Sequence, residues 1–217
     1  MKRLRNFDRN LFDLVSEAHK WEYTEINDNR ESSAAKKPKY YLTKGQWILL
    51  TLSVLIVVLR PNSISVDFAG YVISGLSLFV GLLFTTVVSL YDKFKNIDFK
   101  EYNKNVNADL YPKGVRLKNY FKKTIILTLY TAILAIVCIL MLSITMLFEQ
   151  EETNMDFIEI GKNICLYEWH FLVLSGLLFV YMVTLFYFLL NFIYITKQLV
   201  TSFFDYMISE IDNVILK

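Results

Sequence analysis

Residues 68–91 read FAGYVISGLSLFVGLLFTTVVSLY, an apolar run without a charged side chain. Small residues recur in it at steps of four, three and four, which places them on one face of a helix. This small-residue stripe consists of Gly70, Ser74, Ser77 and Gly81, with Thr85 beside them. In lipid, small residues let two helix backbones approach closely, so such a stripe usually marks a contact with another helix. The stretch therefore predicts the central helix of a membrane bundle.

The composition of the whole chain also indicates a membrane protein. Of its 217 residues, 54% are hydrophobic and 16% are aromatic, while the formal net charge is only +2. Cys138 lies in an apolar run and Cys165 in a polar loop, so neither a mutual disulfide nor a metal site is expected. The polar residues 1–44 contain no apolar segment typical of a secretory signal. We expect an all-α, polytopic membrane protein.

Four transmembrane helices are predicted, at about residues 42–60, 68–91, 124–148 and 169–195, within a transmembrane domain of residues 40–195. The first is the shortest, because its apolar run has only 13 residues, a length that also suits a re-entrant segment. Lys44 and Arg60 near its two ends allow it to cross if they reach the interfaces, and Tyr40, Tyr41 and Trp47 form an interfacial belt. A short connection makes the first two spans an antiparallel hairpin.

Amphipathic helices are predicted at both ends of the chain. Residues 1–26 form the first, and a polar linker follows at residues 27–39. Its apolar side carries Leu4, Phe7, Leu11, Leu14, Ala18 and Trp21. We expect this side to pack on the rest of the protein or to self-associate, while lying on the membrane surface or docking a partner protein are alternatives. Residues 196–217 form the second helix, joined directly to the fourth span. Its apolar side carries Val200, Phe204, Met207, Ile211 and Ile215.

The basic residues are strongly segregated along the chain. Residues 2–44 hold ten Lys or Arg and residues 92–123 hold nine, whereas the loops at 60–67 and 149–168 hold one each together with seven acids. Because Lys and Arg are retained on the cytoplasmic side of short loops, both termini and the central loop are predicted to be cytoplasmic. An even number of crossings must then precede the central loop, which favours the short first span as a true crossing.

The sequence offers no recognisable catalytic or cofactor site. It contains two histidines, His19 and His170, and lacks HExxH, CxxC, glycine-rich phosphate-loop and serine-elbow motifs. We therefore expect neither an enzyme nor a bound metal or cofactor. The cores of the predicted spans also lack charged residues, which argues against a proton- or ion-coupled carrier.

Weakly polar stripes in the spans are the candidates for a conducting path or for helix packing. They comprise Gly70, Ser74, Ser77, Gly81 and Thr85 in the second span, Thr124, Thr128 and Thr131 in the third, and Thr184 and Asn191 in the fourth. Four helices are too few to enclose a water-filled path, so conduction would require several copies around an axis, with apolar rings gating by dewetting. The alternative is that the stripes are ordinary packing surfaces and that Asn191 bonds between helices.

The central loop at residues 92–123 mixes basic and aromatic residues. Its exposed basic residues are predicted to sense an anion, and the candidates are Lys100, Lys104, Lys113, Arg116 and Lys118. With the aromatic residues between them, they suit a nucleotide or nucleic-acid ligand held by phosphate pairing and stacking. The alternative is that the basic residues serve cytoplasmic retention and the aromatic residues anchor the interface. Pro112 and Gly114 predict a turn near the middle of this loop.

The segment Ser77 to Lys95 (SLFVGLLFTTVVSLYDKFK) runs from a span straight into a charged cytosolic helix. In this segment and in its overall layout the chain resembles small multi-pass proteins of bacterial anti-phage systems. These include the KwaA component of Kiwa, four-span accessory proteins of RNA-targeting CRISPR nucleases, and SLATT-type pore effectors. The resemblance implies an oligomeric inner-membrane pore or channel in contact with lipid, triggered from the cytosol. The alternative is a non-conducting scaffold or sensor that recruits a soluble cytosolic partner protein.

Overall fold

The computed structural model describes residues 10–18, 44–59, 64–102, 108, 110–148 and 169–215, except for the side chains of residues 148, 170, 171 and 209–215. Every regular element in these ranges is a helix, which confirms the predicted all-α class. The elements are a helical segment at residues 10–18, α1 (Lys44–Leu59), α2 (Val66–Lys95), a short 3-10 helix (Phe99–Tyr102), α3 (Tyr111–Phe148) and α4 (Trp169–Ile215).

Three of these helices are long and apolar enough to cross a membrane. They are Val66–Lys95, Tyr111–Leu147 within α3, and Leu172–Ile208 within α4. The described part of the chain therefore has three long candidate spans, consistent with a membrane protein. Helix α1 has 16 residues and rises about 24 Å, less than the roughly 30 Å of the hydrocarbon core.

Local sequence accounts for where α2 begins and ends. The hydroxyl of Ser65 accepts a hydrogen bond from the backbone N–H of Phe68 at 3.4 Å, so Ser65 caps the first turn. Asp67 lies in that turn and Lys93 and Lys95 lie in the last one, which suits the helix dipole at both ends. The carboxylate of Asp98 then accepts the N–H of Lys100 at 3.0 Å and starts the 3-10 helix.

The turn predicted at Pro112 and Gly114 is wrong. Both residues lie in the first turns of α3, where proline is well tolerated because its missing N–H has no helical partner. Gly114 is buried, and a Cβ added to it would overlap the side chain of Tyr102. Glycine is therefore needed here for close packing and not for a turn.

The chain divides into two compact units, and α2, α3 and α4 each contribute to both. The first unit contains Gly81–Ala132 and Ile195–Lys217 together with the N-terminal residues up to Tyr41, and the second contains Leu42–Val80 and Ile133–Tyr194.

The first unit has an aromatic core, which we call the aromatic cluster. Its buried residues are Leu90, Tyr120 and Phe121, and the side chains packed on them are Phe94, Ile97, Leu117, Ile125, Phe203 and Tyr206. Phe94 meets Phe121 with ring centroids 5.7 Å apart, and Tyr120 stacks on Tyr206 at 4.0 Å. The cluster therefore joins the end of α2, the beginning of α3 and the last third of α4.

The N-terminal helical segment also packs within the first unit. Ala18 is buried and Leu11 and Leu14 are half-buried. On the same segment, the carboxylate of Glu17 accepts a hydrogen bond from the ammonium group of Lys122 in α3 at 2.7 Å. Of the alternatives for residues 1–26, packing on the rest of the protein is the one seen in residues 10–18; the other residues of this helix lie outside the described ranges.

The second unit is held by contacts of α4 with the other helices. The hydroxyl of Tyr181 in α4 donates a hydrogen bond to the backbone carbonyl of Met141 in α3. Phe192 meets Phe79 of α2 edge to face, with ring centroids 5.7 Å apart. A Cβ added to Gly45 of α1 would lie 2.9 Å from the hydroxyl of Tyr194, so glycine allows α1 to lie against α4.

Packing is densest along α3, whereas the small-residue stripe predicts α2 as the central helix. Half of the most apolar window of α3 is buried, against 11% in α2. Small side chains share the buried face of α3, and each of them is fully enclosed: Thr124, Thr128, Thr131, Ala135 and Cys138. The most deeply packed helix of a single chain is therefore α3, and the prediction that α2 is central does not hold within one chain.

Candidate functional site

The small-residue stripe of α2 lies on the exposed side of the helix. The buried residues of α2 recur every seven positions, at Ala69, Leu76, Leu83 and Leu90. From helix geometry, the stripe is rotated by about 150° from this buried seam. Ser74, Ser77, Gly81 and Thr85 are exposed and Gly70 is half-exposed. In the part of the chain that the structure describes, nothing lies within 4 Å of a Cβ added to Gly70 or Gly81.

The hydroxyl groups of the stripe all donate within their own helix. Ser74 donates to the carbonyl of Gly70 at 2.9 Å, Ser77 to that of Ile73 at 2.8 Å, and Thr85 to that of Gly81 at 3.0 Å. Their donors are thus satisfied, while their oxygen lone pairs still face outward and can accept from water or from another helix. The stripe therefore suits either close packing or a weakly polar lining.

The threonines of α3 are not available to line a path. Thr124, Thr128 and Thr131 are fully buried within the first unit. Thr128 donates to the carbonyl of Thr124 and Thr131 to that of Leu127, both at 2.7 Å. These three residues are packing residues of their own chain, so the conducting alternative considered for them is wrong.

The polar face of α4 is also engaged within the chain. Tyr181 bonds to α3 through the carbonyl of Met141, and its hydroxyl lies 3.2 Å from that of Thr145. Asn191 is buried, and Thr184 is half-buried with its hydroxyl donating to the carbonyl of Val180 at 2.7 Å. Since the α2 stripe is exposed and Asn191 is enclosed, one chain alone does not bring them onto a common surface.

The predicted anion-sensing residues lie around the aromatic cluster. Lys100, Lys113, Arg116 and Lys118 are all exposed, whereas Lys104 lies outside the described residues. They belong to the 3-10 helix and to the first turns of α3. From helix geometry, Lys113 and Arg116 lie about 60° apart around α3, whereas Lys118 lies roughly 150° from both. We call the exposed side chains of Lys113 and Arg116 the basic surface.

The aromatic residues between these charges point into the protein. Tyr120 and Phe121 are buried, and Phe94 contacts Phe99 with ring centroids 5.1 Å apart. Tyr102 in turn lies against Phe99 and the backbone of Gly114. Ring faces that base stacking would need are thus largely occupied by other rings of the cluster. The basic surface suits phosphate groups better than nucleobases.

Sequence reasoning missed the contacts that hold these surfaces in place. The Tyr120–Tyr206 stack, the Glu17–Lys122 ion pair and the Tyr181 hydrogen bond all join distant parts of the chain. The one sign of these contacts in the sequence was the concentration of aromatic residues in the central loop. That concentration was interpreted as membrane anchors or as a stacking surface, not as a packed core.

No group of three or more His, Cys, Asp or Glu side chains that could hold a metal ion occurs among the described residues. Comparisons with protein-family models, curated proteins and solved structures find no match to this chain.

Proposed function

We propose that this protein is a self-associating multi-pass protein of the bacterial inner membrane that forms a pore or channel opened from the cytosolic side. We further propose that it acts as an effector of an anti-phage defence system, as the resemblance in layout implies. In this proposal α1 is a fourth crossing, and both termini and the central loop are cytoplasmic, as the distribution of Lys and Arg favours.

The exposed position of the small-residue stripe is the observation that carries this proposal. The buried seam of α2 already serves packing within the chain, which leaves the stripe available for a contact between copies or for a lining. Copies arranged around an axis with their α2 stripes inward would surround a weakly polar path. Ser77 and Thr85 would line it, with their outward lone pairs accepting hydrogen bonds from water.

The aromatic cluster supports opening from the cytosolic side. It joins residues of α2, α3 and α4 in one packed core, and the exposed Lys113 and Arg116 lie in the first turns of α3, which also carries Leu117, Tyr120 and Phe121 of the cluster. An anion bound by these side chains would act on the ends of all three long helices through that core. A phosphate-bearing ligand fits this surface best, because its charge can be paired without access to the ring faces.

The experiment is a single-channel recording of the purified protein in a planar bilayer, with nucleoside triphosphates and short oligonucleotides added on the cytosolic side. Discrete current steps are expected. Thr85→Leu should reduce the conductance at least tenfold, because it puts an apolar side chain where water would pass.

The matched control for this experiment is Thr86→Leu. Thr86 carries the same type of internal hydrogen bond, to Leu82 at 2.9 Å, but lies about 100° away around the helix. It should leave the current unchanged. Equal currents for both variants would remove the stripe from the path, and silence from a folded, oligomeric wild type would favour the non-conducting scaffold.

A further inference from the structure

The last third of α4 carries an exposed apolar side that we call the α4 seam. Val200, Phe204 and Met207 are 61%, 60% and 59% exposed. Their steps of four and three continue in the sequence with Ile211 and Val214, along a helix that runs unbroken to Ile215. Alternating steps of four and three are the spacing of a coiled-coil seam.

The opposite side of α4 is already used by its own chain. Leu199 and Ser202 are buried, and Phe203 and Tyr206 pack into the aromatic cluster. From helix geometry, this inner side is rotated by roughly 120° from the seam. The seam is therefore a second, separate packing surface of the same helix.

Lipid tails do not account for the exposure of the seam. Tyr206 stacks on Tyr120, with ring centroids 4.0 Å apart and planes 11° from parallel. Tyr120 lies between the exposed residues Lys118 and Lys122 of α3. Charged side chains at this level mark the region outside the hydrocarbon core, so Phe204 and Met207, beside Tyr206, lie outside it as well. Exposed apolar side chains there are typical of an interaction surface.

We propose that the α4 seam packs in parallel against the same seam of a second copy, with the spacing of a coiled coil. Copies inserted in one membrane share one orientation, so two α4 helices can meet only in parallel, and two-fold symmetry then sets identical residues opposite each other. The seam suits this arrangement because a heptad pattern is complementary to itself in register. Val200, Met207 and Val214 take the d positions, and Phe204 and Ile211 take the a positions.

The charges near the seam are consistent with this partner. Asp205 is exposed at a b position, on the outside of such a pair, so no carboxylate of the described residues faces its own copy. Lys197 takes the a position one heptad before Phe204 and is exposed at the membrane end. A single lysine at an a position is known to fix register and oligomeric state at some expense of stability.

The apolar contact that the seam offers is small, since in the described residues it consists of Val200, Phe204 and Met207. A contact of this size would be weak between proteins free in solution. Two copies held in one membrane meet at a much higher effective concentration, so a smaller contact suffices.

Disulfide cross-linking in native membranes tests the pairing. The background chain carries Cys138→Ala and Cys165→Ala, and single cysteines are then introduced by M207C, F204C or D205C. After mild oxidation, we expect M207C and F204C to give a covalent dimer, at least fivefold more than D205C. D205C is the matched control, because residue 205 is also exposed but faces outward from the pair.

Two results would overturn the pairing. One is cross-linking of M207C and F204C no greater than that of D205C. The other is failure of M207C both to cross-link and to react with a water-soluble maleimide, which would mean that the seam is covered within its own chain.

The proposed function and the pairing are tested separately. The pairing rests on the proposed function only because both require the protein to self-associate. Current without M207C cross-linking would reject the pairing alone, whereas cross-linking without current would reject the pore and leave the pairing supported.

Discussion

The rings of Tyr120 in α3 and Tyr206 in α4 stack with centroids 4.0 Å apart and an angle of 11° between their planes. Tyr120 is 2% exposed and lies at the centre of the aromatic cluster, with Phe121 beside it. The stack fixes the level at which the last third of α4 meets the beginning of α3. It thereby positions both the basic surface and the α4 seam.

Tyr206→Ala should destabilise the protein by about 2 kcal/mol, because the half-buried ring and its stacking partner both lose contacts. Tyr206→Phe keeps the ring and should change the stability by less than about 1 kcal/mol. Thermal unfolding in detergent, followed by tryptophan fluorescence, provides the measurement. Tyr91→Ala makes the same change at an exposed position and serves as the control. An equal loss for Tyr91→Ala and Tyr206→Ala would contradict a special role of the stack.

Gly114→Ala should also destabilise the first unit, although alanine is the better helix former. The new Cβ would overlap the side chain of Tyr102, whose Cγ lies 2.8 Å from its position. Overpacking of this kind costs about 1–3 kcal/mol, which outweighs the roughly 1 kcal/mol gained in helix propensity. Gly176→Ala is the matched control, since no atom of the described residues lies within 4 Å of its Cβ position. G176A should be neutral or more stable in the same unfolding measurement. A G114A variant more stable than wild type would refute the close packing.

The long apolar helices could be predicted from the sequence because apolar length acts locally, whereas the turn predicted at Pro112 and Gly114 lies inside α3. The run at residues 68–91 fixes α2, and the continuity of apolar side chains from Trp169 to Ile215 accounts for the single helix α4. The most buried helix could not be predicted in this way. The stripes of α2 and α3 are both made of small residues, and such residues suit a tight contact, a lining or lipid equally well. Which stripe is covered depends on where the other helices lie, and that is not a local property.

The candidate site could be predicted only in part, because its arrangement also depends on where the other helices lie. Lys113, Arg116 and Lys118 are exposed, as their charge requires. The aromatic residues of the same loop were expected at a membrane interface or on a stacking surface, yet Tyr120 and Phe121 are core residues. Alternation of basic and aromatic residues is compatible with both arrangements. The partner that decides between them, Tyr206, lies in another helix far along the chain.

Tyr181→Phe should weaken the contact between α3 and α4 in the second unit. It removes the hydroxyl that donates to the carbonyl of Met141 and leaves the ring in place. Hydrogen bonds between membrane helices contribute about 0.6 kcal/mol on average and up to about 1.7 kcal/mol, so a loss of about 1 kcal/mol is expected. Tyr71→Phe makes the same chemical change at an exposed position and should have no effect on thermal unfolding in detergent. Identical unfolding of Y181F and wild type would mean that the hydrogen bond does not stabilise the helix pair.

The ion pair between Glu17 and Lys122 should hold the N-terminal segment weakly, because its side chains are 29% and 42% exposed. A pair with this much solvent contributes about 0.5 kcal/mol, and salt screens it. Hydrogen exchange at residues 10–18 should therefore quicken about twofold in Glu17→Lys and in Lys122→Glu at low salt. The double variant restores the pair with reversed charges and should return exchange to the wild-type rate. Glu25→Lys, elsewhere in the N-terminal residues, is the control for the change of charge alone. The half-buried Leu11 and Leu14 also hold the segment, so neither single variant should release it fully. Full release in a single variant would mean that the ion pair alone holds the segment in place.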